Sequence, residues 1–241
     1  PDQVNVRRGH DTWFNSSAGF SGTYASQFAF TGLGAVKGAA ELLRDEMIQL
    51  AAVVLQAEPE QIELADAQAR VRDNPEVAIP FMGLGAIVNA NNAFLPPDFN
   101  PTLNHRYVCR PYFGVVDKER KRGKLTLTYA TQIHACVVEI DPETGVTEIV
   151  DYAAVDDCGV RIHPQIVEGQ VHGATAHAIG AALHENFVYD EDGTLLTANF
   201  YDYHVPHTLD MPPLRTGAIE SPSPVAPLGA KGMGEGGGGG I

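Results

Sequence analysis

Glu235 is the residue whose setting most suggests chemistry. It lies in Gly229-Ala230-Lys231-Gly232-Met233-Gly234-Glu235, and glycines follow from 236 to 240. Glycine has no Cβ and lets the backbone approach a ligand closely, so a carboxylate set among glycines can be reached from several sides. A general base must lie within hydrogen-bond reach of the proton it takes. The same run also fits a flexible Gly-rich tail. Two other stretches could serve the same chemistry. Residues 7–27 are dense in Gly, Ser, Thr and Asn and run directly into an apolar-periodic segment. Their N–H groups would therefore sit near a helix N-terminus, where unpaired donors and a partial positive charge suit an anionic group; a plain Ser/Thr-rich lead-in that only caps the helix fits equally. Gln170 stands in a run that includes Gly169, Gly173, Ala174, Ala176, Ala178, Gly180, Ala181 and Ala182. So small-sided a backbone suits close approach by a ligand to which Gln170 could hydrogen-bond, or Gln170 is simply an exposed glutamine.

Other chemistries are poorly served. His172 and His177 are five apart and share no helical face, and His184-Glu185 lacks the second histidine of H-E-x-x-H, so zinc chemistry is not expected. Gly32, Gly34 and Gly38 are wrongly spaced for a dinucleotide fingerprint, and no strand precedes them. Lys231 is followed by Gly232 instead of the Ser or Thr of a phosphate-binding loop. No G-x-S-x-G elbow is present.

The composition is that of a globular chain, 44% hydrophobic and 19% charged over 241 residues. A formal charge of -14 argues against nucleic acid or an anionic membrane surface as partner, since both need clustered Lys and Arg. The basic cluster at 118–124 reads as a solvated loop. Cys109, Cys136 and Cys158 form no C-x-x-C pair, which suits a reducing, cytoplasmic setting. No stretch supplies the roughly 18 apolar residues of a membrane span, and Pro1-Asp2-Gln3 is not a secretory signal. A start at Pro1 and a stop just after a glycine run suggest a fragment, a processed chain or one piece of a larger protein.

The elements that must position these residues follow from periodicity. Ala35, Ala39, Leu42, Leu43, Met47, Leu50 and Val54 predict a helix within 28–55, with Glu41, Arg44, Asp45 and Glu46 on its other side. Residues 59–64 and 69–71 suggest a short surface ribbon, and 89–101 a Pro/Asn-rich connection. Strands are expected at 125–130 and 134–140, with a turn at 141–145 leading into a strand at 146–155. After a polar turn at 156–164, a Gly/Ala-rich helix is expected at about 165–185. A hairpin turn at 190–193, a strand at 195–201 and a Pro-rich extended passage at 206–227 lead to the Glu235 loop. With no repeat and no long linker, 1–241 reads as a single α+β domain, or part of one.

Three separated stretches together resemble one family. Gly22-Thr23-Tyr24-Ala25-Ser26, then Asp157-Cys158-Gly159 with Val167-Glu168-Gly169-Gln170-Val171-His172-Gly173, and finally Gly229 through Glu235, resemble the second half of the molybdopterin-binding subunit of the molybdenum hydroxylases. That family includes xanthine dehydrogenases, aldehyde oxidases and aerobic carbon monoxide dehydrogenases. The resemblance implies a molybdenum cofactor-binding domain-like fold with mixed sheets and packed helices. It implies an oxidoreductase subunit that oxidises an electron-poor carbon of an N-heterocycle, aldehyde or similar small molecule with water-derived oxygen, and it makes Glu235 the general base. Gly22, Thr23, Tyr24, Ala25, Ser26, Gln27, Gln170 and Gly234 would contact molybdopterin, alone or as its cytosine dinucleotide. The molybdenum would be held by the pterin, with no direct protein ligand. Iron-sulfur clusters and FAD would sit on partner chains or on regions outside this sequence. The implied partners are the remaining half of the molybdenum subunit and the iron-sulfur and flavin subunits. Two departures stand out: Gln27 follows Ser26 where Arg is common, and Gly236-Gly237 follow Glu235 where Pro-Pro is common. A different class, a non-catalytic assembly or scaffolding partner of a molybdenum enzyme, fits the same motifs.

Overall fold

A computed structural model describes residues 4–6, 23, 26–90, 93, 95–110, 117–123 and 127–236. Helix α1 (Phe28–Leu55) takes up the whole apolar-periodic stretch. The chain gathers into two compact units, Ala35–Arg110 and the combination of Pro1–Gly34 with Pro111–Ile241.

The 35–110 unit is built on the C-terminal half of α1. Leu50, Ala51 and Ala52 are buried together with Ile62, Ala69, Leu84 and Leu95, while Met47 and Val54 pack against them. Removing a leucine-sized side chain from water contributes about 1.5–3 kcal/mol, so this cluster holds the unit together. Leu42 departs from the expected stripe, being 42% exposed. The expected ribbon is a three-stranded antiparallel sheet of β1 (Ile62–Ala65), β2 (Gln68–Val71) and β3 (Asn74–Pro80). It does more than cover a surface, since Ile62 and Ala69 belong to the core. β3 is concealed in the sequence by Pro75, which is tolerated because β3 is an edge strand. Helix α2 (Phe81–Ala90) is concealed by Gly83 and Gly85, which lower helix propensity. The Glu46 carboxylate accepts from the N–H groups of Thr102 (3.0 Å) and Leu103 (2.7 Å) and lies 2.9 Å from His105 Nε2.

The second unit carries a mixed sheet in the order β4 (Thr131–Ile140), β5 (Thr147–Asp157), β6 (Leu214–Ala218). β4 and β5 form the expected hairpin, antiparallel from Thr131↔Asp157 to Ile140↔Thr147. Its turn is made by the Asp141 Oδ1, which accepts from Glu143 N at 2.8 Å, and by Gly145 at φ 74. β6 pairs parallel to β5, Tyr152↔Leu214 through Asp156↔Ala218. This strand lies inside what reads as a Pro-rich extended passage, and only its distant partner makes it a strand.

Two expected strands are corrected. Of 125–130, the described part at 127–130 forms no strand; pairing begins at Thr131 because the partner strand ends at Asp157, ahead of a turn with Gly159 at φ 67. The 195–201 strand reduces to one bridge, Tyr189↔Leu195. There the Asn199 Oδ1 accepts from Tyr201 N (2.8 Å) and Asp202 N (3.2 Å), and such local side-chain bonds compete with a ladder.

Helix α3 (Pro164–Ile179) starts with Pro164 in its first turn and the His163 ring accepting from Ile166 N. Val171, Thr175 and Ile179 form its buried face. It continues into a wider turn, Gly180–His184, so the expected 165–185 helix is nearly complete. A second core of Tyr152, Ala154, Cys158, Val171 and Met233 joins β5, α3 and the chain around 233. Helices packed with one antiparallel and one mixed sheet make this an α+β fold. Among the described residues no helix is long and apolar enough to cross a membrane.

Candidate functional site

The site begins where β5 ends. Asp157 points its carboxylate back over the turn, with Oδ1 accepting from Gly159 N (2.9 Å) and Ser221 N (3.1 Å), while Lys231 Nζ donates to Oδ2 at 3.2 Å. Burial pushes the Asp157 pKa up, but the Gly159 N–H, the contacts with Ser221 and Lys231 outweigh it and hold the group well below the usual carboxylate range. Lys231 is thereby committed to anchoring the loop.

The backbone completes the anchor. Gly159 bridges Ala230, Lys231 N donates to Cys158 O at 2.7 Å, and Val160 N donates to Gly229 O at 3.1 Å. A Cβ on Gly159 would stand 2.2 Å from Gly229 O, so both the positive φ and the close approach require glycine. Two residues on, Met233 is buried in the core with Tyr152 and Val171. The chain up to Gly236 is thus docked on the end of β5, and Gly234 and Glu235 project from it as an exposed turn.

Ser26 reaches this turn from some two hundred residues upstream in the sequence. Its Oγ accepts from Met233 N and Gly234 N, both at 3.3 Å. Its φ is 50, an uncommon left-handed value for a residue with a side chain, of the kind that collects at ligand sites. Ser26 N donates to Thr23 O at 2.9 Å, and the Gln27 carbonyl accepts from Phe30 N and Thr31 N at 3.0 and 2.9 Å, opening α1. From the other side comes Gln170. A Cβ on Gly234 would lie 3.4 Å from Gln170 Nε2 and 3.5 Å from Ser26 Oγ, so both polar groups are gathered around Gly234.

Glu235 separates two grooves. One, of ≈ 420 Å³, lies along α3 and is lined by Gln170, Gly173, Ala174, His177, Ala178 and Ala181, with Gly234 and Glu235 opposite. The residues from Gln170 to Ala178, continued by Ala181 in the wider turn, recur at the three-and-four spacing of a single helix face, away from buried Val171, Thr175 and Ile179. Gly173 has nothing within 4 Å of a would-be Cβ, so the small side chains leave real space. The other groove, of ≈ 290 Å³, is lined by Ser26, Gln132, Met233 and Glu235 among others, with 128–130 at its edge.

Of the residues singled out from sequence, Ser26, Gln170, Gly234 and Glu235 are brought together. The Thr23 carbonyl accepts from Ser26 N, and Gln27 follows Ser26 along the chain. Gly22, Tyr24 and Ala25 lie outside the described residues. Glu235 is exposed, so this chain's described residues do not by themselves supply the dry pocket that favours a base. Sequence reading missed the Asp157–Lys231 anchor, although Asp157 and Lys231 each lie in a motif, because nothing in either stretch reveals its partner 74 residues away. It also missed Gln132, brought in by β4.

The two grooves fit an organic cofactor better than a protein-held ion. Their polar groups include a serine hydroxyl and carboxamides, their walls include side-chain-free positions, and His177 and Glu235 are the only imidazole and carboxylate among the described lining residues, too few to hold a metal alone. Molybdopterin, which carries its own dithiolene ligand for molybdenum, suits such walls.

Comparison with known proteins agrees. The family model of the molybdopterin cofactor-binding domain matches residues 1–212. The chain is 35% identical over 218 residues to the nicotine 6-hydroxylase large subunit of Paenarthrobacter nicotinovorans, covering 90% of this chain and 25% of that protein. It is 33% identical over 215 residues to the carbon monoxide dehydrogenase large chain of Afipia carboxidovorans, covering 89% and 24%. Among solved structures, quinoline 2-oxidoreductase from Pseudomonas putida 86 superposes with a TM-score of 0.72 at 37% identity, covering 88% of this chain and 25% of that one. The chain therefore spans about a quarter of the length of these relatives. A match across most of the chain, on a fold that collects Ser26, Gln170, Gly234 and Glu235 around two open grooves, shows that the chain belongs to the molybdopterin cofactor-binding domain family of the molybdenum hydroxylases.

Proposed function

We propose that this chain is the second-half portion of the molybdopterin-binding subunit of a molybdenum hydroxylase, an oxidoreductase that hydroxylates an electron-poor carbon, with Glu235 as general base. The observation that carries the reading is the meeting of Ser26, Gln170, Gly234 and Glu235, from three distant segments, at one pair of grooves. The family match spans both compact units, which supports treating 1–241 as a single molybdopterin-binding portion.

When bound, molybdopterin would supply molybdenum as the two-electron acceptor. The chain's residues do the rest. Ser26, held by the Met233 and Gly234 N–H groups, fixes the loop beside the α1 N-terminus, where 22–27 would meet the cofactor's anionic part. Gln170, beside Gly234, would offer its amide to the cofactor. Glu235, free of neighbouring Cβ atoms on both sides, would take the proton of the water that supplies the product oxygen. Because Glu235 is exposed here, exclusion of water must come from the other half of the subunit or from substrate itself.

The relatives named for nicotine and quinoline support an N-heterocyclic substrate, with an aldehyde or similar small molecule the next class to try. Relatives named as large subunit, large chain and complex subunit gamma support partner chains; we assign iron-sulfur clusters and FAD to those partners and the cytosine dinucleotide form to the pterin. The test is the intact enzyme assayed on N-heterocycles in ¹⁸O-labelled water. Labelled hydroxylated product, lost on Glu235→Gln at unchanged molybdenum content, is the expected result. Product labelled from O₂, or more than about a tenth of the parent turnover in the variant, overturns the reading.

A further inference from the structure

Beyond α3 lies a cluster that the cofactor reading does not use. His184 closes the wider turn after α3, and His204, His207 and Asp210 come from the segment leading to β6. One ligand atom each of His184, His204 and Asp210 lie within 4.8 Å of one another. The two segments are held together independently of any ion. Tyr203 Oη donates to Glu185 Oε2 at 2.7 Å, the Phe187 and Tyr203 rings pack with centroids 5.0 Å apart, and a Cβ on Gly180 would strike Pro206 Cγ at 2.7 Å. The close approach thus depends on Gly180, and it carries His204 against His184, ring centroids 4.8 Å apart.

One donor pair, His204 and Asp210, hydrogen-bonded as it stands, is already at coordination spacing. With Zn–N and Zn–O bonds of about 2.0–2.2 Å, two ligand atoms on a tetrahedral ion are about 3.4 Å apart. His204 Nε2 lies 3.2 Å from Asp210 Oδ2. His184 closes to the same spacing by a shift of about 1.4 Å or less, within reach of a side-chain rotation. Asp210 is already oriented: its Oδ2 accepts from His207 N at 2.9 Å and lies 3.3 Å from His207 Nδ1, the kind of outer contact that aims a ligating carboxylate. Two imidazoles and one carboxylate suit zinc, nickel or copper and are a poor match for calcium or magnesium. The cluster borders a cavity of ≈ 600 Å³ lined by His184, Asp210 and the start of β5, which leaves room for water in the remaining coordination position.

We propose that His184, His204 and Asp210 form a binding site for one divalent first-row transition ion, with His207 positioning Asp210, and that the ion clasps the end of α3 to the segment before β6. The site is separate from Glu235 and needs no molybdenum.

The test uses the intact protein that carries this chain, stripped with chelator and titrated with zinc. One zinc per chain, a rise in Tm that grows with zinc concentration, and the visible absorption of four-coordinate Co²⁺ on substitution are expected. His204→Gln and Asp210→Asn should each weaken zinc binding by about tenfold or more, the loss typical of a disturbed metal site, while His172→Gln, an exposed histidine on α3, should leave it unchanged. Molybdenum content, read in the same samples, is expected to stay level in all three, so that failure here is distinct from failure of the hydroxylase reading. Absence of stoichiometric zinc, or equal zinc binding in His204→Gln, Asp210→Asn and the parent, overturns the proposal. If His204→Gln misfolds, His184→Gln supplies the same test from the other segment.

Discussion

At the scale of single residues, the proposal turns on Glu235 and Gln170. Glu235→Gln keeps shape and hydrogen bonding and removes the proton acceptor, so molybdenum content and substrate binding should persist while kcat falls by about 10²–10⁴ or more, the range of general-base catalysis. Steady-state turnover measured beside metal analysis checks this, and retention of more than about a tenth of the rate would return Glu235 to a bystander. Gln170→Ala should lower cofactor occupancy with little change in Tm, because Gln170 is exposed and its loss removes one hydrogen bond to a charged group, worth about 1.5–3 kcal/mol. Molybdenum content of the purified variant decides it. Both residues were legible in the sequence from their small-residue surroundings. Asp157 and Lys231 were not legible as a pair, since an ion pair between residues 74 apart has no local signature.

At the scale of elements, the anchor between the β5 end and the 229–236 loop decides whether Glu235 is presented at all. Gly159→Ala combines a left-handed φ, costing about 1–2 kcal/mol for an ordinary residue, with a 2.2 Å approach to the Gly229 carbonyl. It should lower Tm and disorder the Glu235 turn together, seen as faster amide exchange at 229–236. The Asp157 carboxylate adds a pH signature. Its folded pKa is depressed, so its stabilisation is fully present above about pH 4, the ordinary carboxylate value, and is lost as pH falls below that toward the folded pKa. Denaturation midpoints taken from pH 7 down to pH 3 should fall more steeply in the parent than in Asp157→Asn. On α3 the open space beside Gly173 predicts that Gly173→Val folds normally and blocks the groove, leaving the circular dichroism spectrum unchanged while cofactor occupancy falls.

At the scale of the whole molecule, the grooves are open and the chain spans about a quarter of its relatives. The isolated chain should therefore fail to retain stoichiometric molybdopterin, which metal analysis after gel filtration measures. Large apolar side chains face outward in it as well, with Phe200 90%, Tyr201 96% and Leu209 90% exposed. Apolar surface of that kind marks contact areas, so light scattering should find the isolated chain self-associated.

Some of this was determined by sequence alone. Helical periodicity placed α1 within 28–55, Asp141 and Gly145 placed the hairpin turn, and three short motifs carried the family. Those signals are local: a 3.6-residue period, a turn's dihedral demands and a glycine's missing Cβ are all properties of neighbouring residues. The rest depended on partners distant along the chain. β6 is a strand because β5 lies beside it, 195–201 is not one because Asn199 turns the chain, and His184 comes near Asp210 because Tyr203, Phe187 and Gly180 pack the two segments together. The resemblance assigns Ser26, Gln170 and Glu235 to one site; only the tertiary structure supplies the contacts that gather them, because hydrogen bonds and packing between segments up to some two hundred residues apart leave no period or composition to read.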